Sequence, residues 1–204
     1  MQIFEYVNPD KQSNNGNLLI FKSFSSNKNS YLVSPIFLLG DAMTNREIKV
    51  NFKEYSSLTE LSEAYQSICA EAVKALKGSH SPYSKFRVGA ALLLRSGKII
   101  HGSNQENVAY PSGLCAERVA LFNWGANHVN DPIVAMAVTA HTDEFELLQP
   151  TASCGACLQV MAECEKMQEK PIEVILFCSN GTAWVINGVN SFLPFLFFED
   201  RLSS

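Results

Sequence analysis

Several features are missing from this 204-residue chain, and each absence narrows what it can be. There is no block of about five or more like charges, so no charged tail stands ready for a partner. There is no basic excess: the net charge is −4, which argues against a nucleic-acid surface, normally built on a basic face or stripe. The start, Met1-Gln2-Ile3-Phe4-Glu5-Tyr6, lacks the basic opening and apolar run of an export signal. The longest apolar stretch near it, Tyr31–Gly40, falls short of the roughly 20 residues that cross a bilayer. No internal repeat is visible. The expectation is a cytoplasmic protein that engages neither membrane nor nucleic acid.

Cysteine is not scarce. Six are present, at 69, 115, 154, 157, 164 and 178. In an exported chain they would suggest disulfides; without an export signal, the C-x-x-C at 154–157 reads as a metal site. Apolar residues make up 47% of the chain, an ordinary globular level that can bury a sizeable core.

Residues 1–42 differ from the rest. Ser13 to Ser30 is dominated by Ser, Asn, Lys and Gly, which bury little apolar surface, so a poorly ordered extension is expected ahead of a domain spanning 43–204. Met43 is a candidate alternative start. Mass spectrometry of the native protein tests it, since peptides from residues 1–42 would remove that start.

The alternation Ile48-Lys49-Val50-Asn51-Phe52 predicts a short strand, and the apolar spacing from Ser57 to Lys77 predicts a helix stopped by Gly78. Strands are expected over 88–95 and 98–106, joined by a Ser96-Gly97 hairpin turn, then a helix over 116–127. A near-continuous apolar run at 133–140 reads as a central strand covered on both faces. A helix over 155–170 and strands over 171–178 and 182–189 complete the pattern. The implied fold is α/β, a three-layer α/β/α sandwich with a mixed sheet of about five strands, a hairpin first and crossovers later.

Two stretches carry the chemistry. Cys115-Ala116-Glu117-Arg118 and Cys154-Gly155-Ala156-Cys157 each open a predicted helix, whose N-terminal partial charge favours thiolates. Three thiols and one carboxylate match a catalytic zinc site, which keeps three protein ligands and leaves one position for water. Cys115, Cys154 and Cys157 are the candidate ligands, Glu117 the candidate proton carrier. Arg118 is placed to offset the excess negative charge of three thiolates by hydrogen bonding. Such a set suits hydrolysis at an sp² carbon bearing an amine. Two other readings stand beside it. One is a closed structural zinc site with Cys164, Cys178 or a histidine as fourth ligand; the other is a redox C-x-x-C pair. Cys69, inside the first helix, reads as a small core residue.

Four stretches in order carry a resemblance: Pro82-Tyr83-Ser84-Lys85-Phe86-Arg87-Val88-Gly89-Ala90-Ala91-Leu92, Asn104-Gln105-Glu106-Asn107, Cys115-Ala116-Glu117-Arg118 and Cys154-Gly155-Ala156-Cys157-Leu158-Gln159-Val160. From about Glu47 onward the chain resembles cytidine deaminase of the three-cysteine homotetrameric type. The resemblance implies zinc on the three cysteines, Glu117 as proton shuttle, and Asn104 and Glu106 on the ribose hydroxyls. It also implies Phe86 against the pyrimidine, and Ala116 with Glu117 reading the base edge. The expected activity is deamination of cytidine and 2′-deoxycytidine with release of ammonia, a pyrimidine-salvage step. It implies a homotetramer with active sites at subunit interfaces, into which Phe197 or Phe198 of the apolar ending 192–200 would reach. Two positions depart from the family pattern: Ser153 stands for proline and Leu158 for arginine. Blasticidin S deamination and a silent zinc-stabilised scaffold are the competing readings.

Overall fold

The computed structural model describes residues 47–197. The expected extension over 1–42, the candidate start Met43 and Phe198 lie outside the described residues. Nine regular elements follow one another: β1 (Lys53–Tyr55), α1 (Glu63–Ala75), β2 (Arg87–Leu94), β3 (Ile99–Ser103), α2 (Ala116–Asn127), β4 (Ile133–His141), α3 (Gly155–Gln168), β5 (Glu173–Phe177) and β6 (Ala183–Asn187). The strands form one sheet in the order β1-β6-β5-β4-β2-β3. Only β4 and β5 are parallel, and α3 is the crossover between them, as a parallel neighbour demands.

The sheet thus has six strands rather than about five. β5 and β6 form an antiparallel pair joined by a tight turn through Gly181, where a crossover was expected. The strand expected over 48–52 is also displaced. Ile48, Val50 and Phe52 are about half exposed, and pairing with β6 begins only at Lys53, opposite Val185. Alternation alone makes no strand where no neighbouring backbone is offered. Phe52 instead sets its ring against Trp184, with centroids 5.5 Å apart.

The helix expected over 57–77 is interrupted at its start. Ser57 caps a single 3₁₀ turn (Leu58–Glu60), then Ser62 accepts from the Tyr65 amide at 3.4 Å and begins α1. Two serines five residues apart offered two caps, and both are used.

Each central strand buries both faces, and in β2 and β4 the larger residues lie mostly on one of them. On one side Leu92, Leu94, Met136, Val138, Val174 and Leu176 meet α2 and α3 around the fully buried Trp124. On the other side Ala91, Ala135 and Ala137 meet α1. Small residues let α1 lie close to the sheet, and Gly89 takes this to its limit: a Cβ there would stand 2.2 Å from the Ala72 carbonyl. Gly102 does the same for α2, where a Cβ would meet the Ala116 carbonyl at 2.1 Å. Both contacts are with helix backbone, which cannot swing aside.

Replacing Gly102 with alanine is expected to cost about 3 kcal/mol, as overpacking against backbone does. It should also lower metal uptake, since it pushes on the first turn of α2. Urea unfolding with a metal assay checks both; wild-type stability and uptake would show that α2 can retreat.

Candidate active site

Cys115 and Cys154 occupy equivalent places in the fold. Each is the residue before the first turn of a helix, with extended backbone (φ −70°, ψ 155° and φ −70°, ψ 161°), ahead of α2 and α3. Such positions usually hold Ser, Thr, Asp or Asn, whose side chain caps a free backbone N–H. Here neither cysteine caps its helix, so both thiols are left to face one another. Cys157 lies one turn into α3 on the same side.

The sulfurs of Cys115 and Cys154 are 3.9 Å apart, those of Cys154 and Cys157 3.5 Å, and all three fall within 4.8 Å of one another. Tetrahedral zinc with Zn–S near 2.3 Å separates its sulfur ligands by about 3.8 Å, so the three thiols fit the ion with little movement. Among the described residues, Cys164 and Cys178 do not join them, and neither does a histidine. Both cysteines are buried elsewhere, and burial holds each thiol up, that of Cys164 to about 12. Among the described residues, the closed four-ligand site therefore lacks its fourth ligand.

The electrostatics favour anionic sulfur. The Cys115 thiol is brought down to about 5, chiefly by the Cys157 thiol donating to it and then by Arg118, whose Nη2 donates at 3.7 Å. Cys157 is correspondingly raised, because it supplies that hydrogen bond and is buried. Glu117, in the first turn of α2, is only 4% exposed. Burial pushes its carboxyl above the usual range, opposed by its own backbone N–H and the Ser153 hydroxyl.

Cys115, Cys154, Glu117 and Arg118 floor a cavity of about 860 Å³, lined among others by Phe86, Val138, Ala140, Asn104, Glu106 and Tyr110. Its wall is a turn in which Lys85 takes a left-handed backbone (φ 57°) and Glu106 Oε2 accepts from the amides of Tyr83 and Ser84, at 2.9 and 3.2 Å. The hydroxyl of Ser84 and these two amides hold the Glu106 carboxyl below its usual range.

A family model for the cytidine and deoxycytidylate deaminase zinc-binding region matches residues 29–153, well over half of the chain. The chain belongs to this family. The match includes Cys115 and Glu117 and ends at Ser153, immediately before Cys154, so the second pair of thiols stands on the geometry above. Over 98 residues the chain is 47% identical to a cytidine deaminase of Halalkalibacterium halodurans, covering 48% of this chain and 70% of that one. A probable cytidine deaminase of Dictyostelium discoideum is 57% identical over 88 residues, covering 42% of this chain and 54% of that one. A crystal structure of cytidine deaminase from Burkholderia pseudomallei superposes with a TM-score of 0.56 at 35% identity, covering 67% of this chain and all of that one. Zinc is the cofactor of this deaminase, and the cysteine cluster is its fitting site.

The other residues singled out in the sequence fall in or around the same cavity. Phe86, Asn104 and Glu106 line it, and Ala116, fully buried, begins α2 beside the thiols. Asn104 is heavily engaged within the protein: Oδ1 accepts from the Ser79 hydroxyl at 2.6 Å and the Val88 amide at 2.8 Å, while Nδ2 donates to the Phe86 carbonyl at 2.9 Å. It therefore braces the segment that carries Phe86. Leu158 points into the core behind the cluster, 7% exposed, so apolar packing replaces a cation there. Phe197 is described and 70% exposed, its backbone gripped by both ends of the Gln159 amide, at 2.9 and 3.3 Å.

Sequence reasoning missed Phe145. It lies between β4 and α3 and stacks on Phe86, centroids 6.4 Å apart and planes at 25°. Its only sequence signal was a lone aromatic in the connection between two elements. Tyr110, set edge-on against Tyr83 at 5.9 Å, was missed likewise.

In metal-free protein at pH 6.5, alkylation is expected to strike Cys115 ahead of Cys157, since only a thiolate reacts and Cys115 titrates near 5. Peptide mapping after brief iodoacetamide treatment checks this. Preferential modification of Cys157 would invert the assignment.

Proposed function

We propose that this protein converts cytidine and 2′-deoxycytidine to uridine and 2′-deoxyuridine by hydrolysis, releasing ammonia. The observation that carries the reading is a three-thiol cluster, two of whose cysteines line a cavity of about 860 Å³, with one buried carboxylate, Glu117, beside it. Three ligands rather than four is the mark of a catalytic zinc site.

Cys115, Cys154 and Cys157 would hold the metal, with Arg118 offsetting the net −1 that three thiolates leave on it. When bound, zinc supplies the Lewis acidity that makes water a nucleophile near neutral pH. Glu117 takes one proton from the attacking water and passes it to ring N3. It then takes the second proton from the resulting C4 hydroxyl and passes it to the amino group, so that ammonia leaves as the C4 carbonyl forms. Its raised pKa suits this, because a carboxyl that both accepts and returns a proton works best near the operating pH. Phe86 packs against the pyrimidine, and the Ala116 backbone and Glu117 read its polar edge. Glu106 retains acceptor capacity for ribose hydroxyls, since its two amide donors occupy one oxygen. Asn104 assists mainly by fixing the segment that carries Phe86.

A nucleoside fits better than a nucleotide. The charged residues lining the cavity are Glu106, Glu117 and Arg118, and the guanidinium is already directed to a thiol, so a phosphate would meet carboxylates. The same charge pattern offers nothing to a polynucleotide. Phe195 and Phe197 are 85% and 70% exposed, an apolar ending that suits burial between copies. We assign the working unit as a homotetramer with sites at its interfaces, acting in cytoplasmic pyrimidine salvage.

Loss of cytidine absorbance on adding zinc-loaded protein tests the reading, with 2′-deoxycytidine and 2′-deoxycytidylate as further arms. Turnover of both nucleosides and not of the nucleotide is expected; a zinc-loaded protein inert toward both would sink it. Glu117→Gln should keep its zinc and lose at least about 10³-fold in kcat, at the upper range for a proton carrier. Undiminished turnover would remove Glu117 from the chemistry. Sedimentation should find four chains together.

A further inference from the structure

Phe86 has a fixed backbone and an unfixed ring. Its amide donates to the Ser84 hydroxyl at 3.0 Å, and its carbonyl accepts from Asn104 Nδ2 at 2.9 Å. Neither bond restrains the side-chain torsions that swing the ring. A ring that lines a cavity is free to turn aside unless something backs it.

The connection from β4 to α3 supplies the backing. It starts next to Phe86, because Arg87 at the head of β2 is the register partner of His141 at the end of β4. Arg87 Nη2 then donates to Asp143 Oδ2 at 2.7 Å, while His141 Nε2 stands 3.0 Å from Oδ1 of the same carboxylate. The buried Thr142 accepts from the Glu144 amide at 3.3 Å and turns the chain. Farther along, Asn180 Nδ2 donates to the Leu148 carbonyl at 3.1 Å. Phe145 is held between these anchors, with its ring stacked on that of Phe86 at a separation where aromatic pairs attract. Phe145 is 59% exposed and belongs to neither core cluster, so interior packing does not account for its place. Phe86 lines the cavity and Phe145 does not.

We propose that Phe145 is a positioning residue for Phe86: its ring holds the Phe86 ring in the orientation that receives the pyrimidine, before the nucleoside arrives. It touches neither substrate nor metal. The Asp143 tether gives the stack its footing, since it fastens the segment of Phe145 to the residue that follows Phe86. Ordering the ring in advance lowers the cost of binding. The contact serves ground state and transition state alike, so its loss raises KM and spares kcat. This rests on the deaminase reading above, in which Phe86 packs against the base.

The test is a double-mutant cycle of Phe145→Ala and Phe86→Ala on cytidine turnover, with Phe145→Tyr beside it. Zinc content is assayed in each variant and uridine affinity measured by calorimetry. Phe145→Ala is expected to raise KM and weaken uridine binding about fivefold, the size of one aromatic pair, with zinc retained and kcat within about twofold. Tyrosine, which keeps the ring, should recover most of the loss. In the Phe86→Ala background, removing Phe145 should change kcat/KM by less than about twofold, because the ring it holds is already gone. An unchanged KM in Phe145→Ala, a further fivefold loss in the double variant, or a fall in kcat that follows lost zinc would each overturn the proposal. Wild-type protein that holds zinc yet turns over no cytidine would sink the deaminase reading, and this proposal with it.

Discussion

Everything at the site depends on two helix N-termini meeting at one point. Three sulfurs can share a metal only if Cys115, ahead of α2, and Cys154 and Cys157, at the head of α3, converge to within a few ångströms. Bringing like-charged thiolates together is repulsive, and the fold offsets this in two ways. Both helices direct their positive ends at the cluster, and Arg118 adds a full charge beside Cys115. The cysteines hold positions that would otherwise cap the helices, so local helix stability is given up for metal geometry.

That convergence is set by the layers beneath. α2 lies against β3 through Gly102, where no side chain intervenes, and α3 is placed by the parallel pair β4 and β5 that it bridges. Because β2 and β4 put their large residues toward α2 and α3, those helices rest on a firm apolar surface centred on Trp124. The opposite face, where β2 and β4 present alanines and Gly89 beside Ile175 and Phe177 of β5, draws α1 in and takes no part in the cluster. The active site is the exposed rim of one well-packed interlayer.

The legible elements were those whose signal is local. α2 runs over the residues its apolar spacing indicated, and the three ligands announced themselves by residue type and spacing before any coordinates existed. The strand expected at 48–52 is an error of another kind: an alternating segment pairs only where an edge is available, and β6 offered one to Lys53–Tyr55. Leu158 read as a lost cation near the thiolates, yet it faces the core, which periodicity around Cys157 did not reveal. Asn104 read as a ligand-holding amide and proves to be largely spent on bracing its neighbours.

By itself the sequence determined the metal and the three thiols that gather for it, because these follow from which atoms the side chains carry. Tertiary structure alone decided how those atoms are used. It buried Glu117, stacked Phe145 on Phe86 across roughly 60 residues, and brought the Cys115 sulfur to 3.9 Å from that of Cys154. Pairings of that sort arise where distant segments are pressed together by a shared core. No spacing along the chain records them.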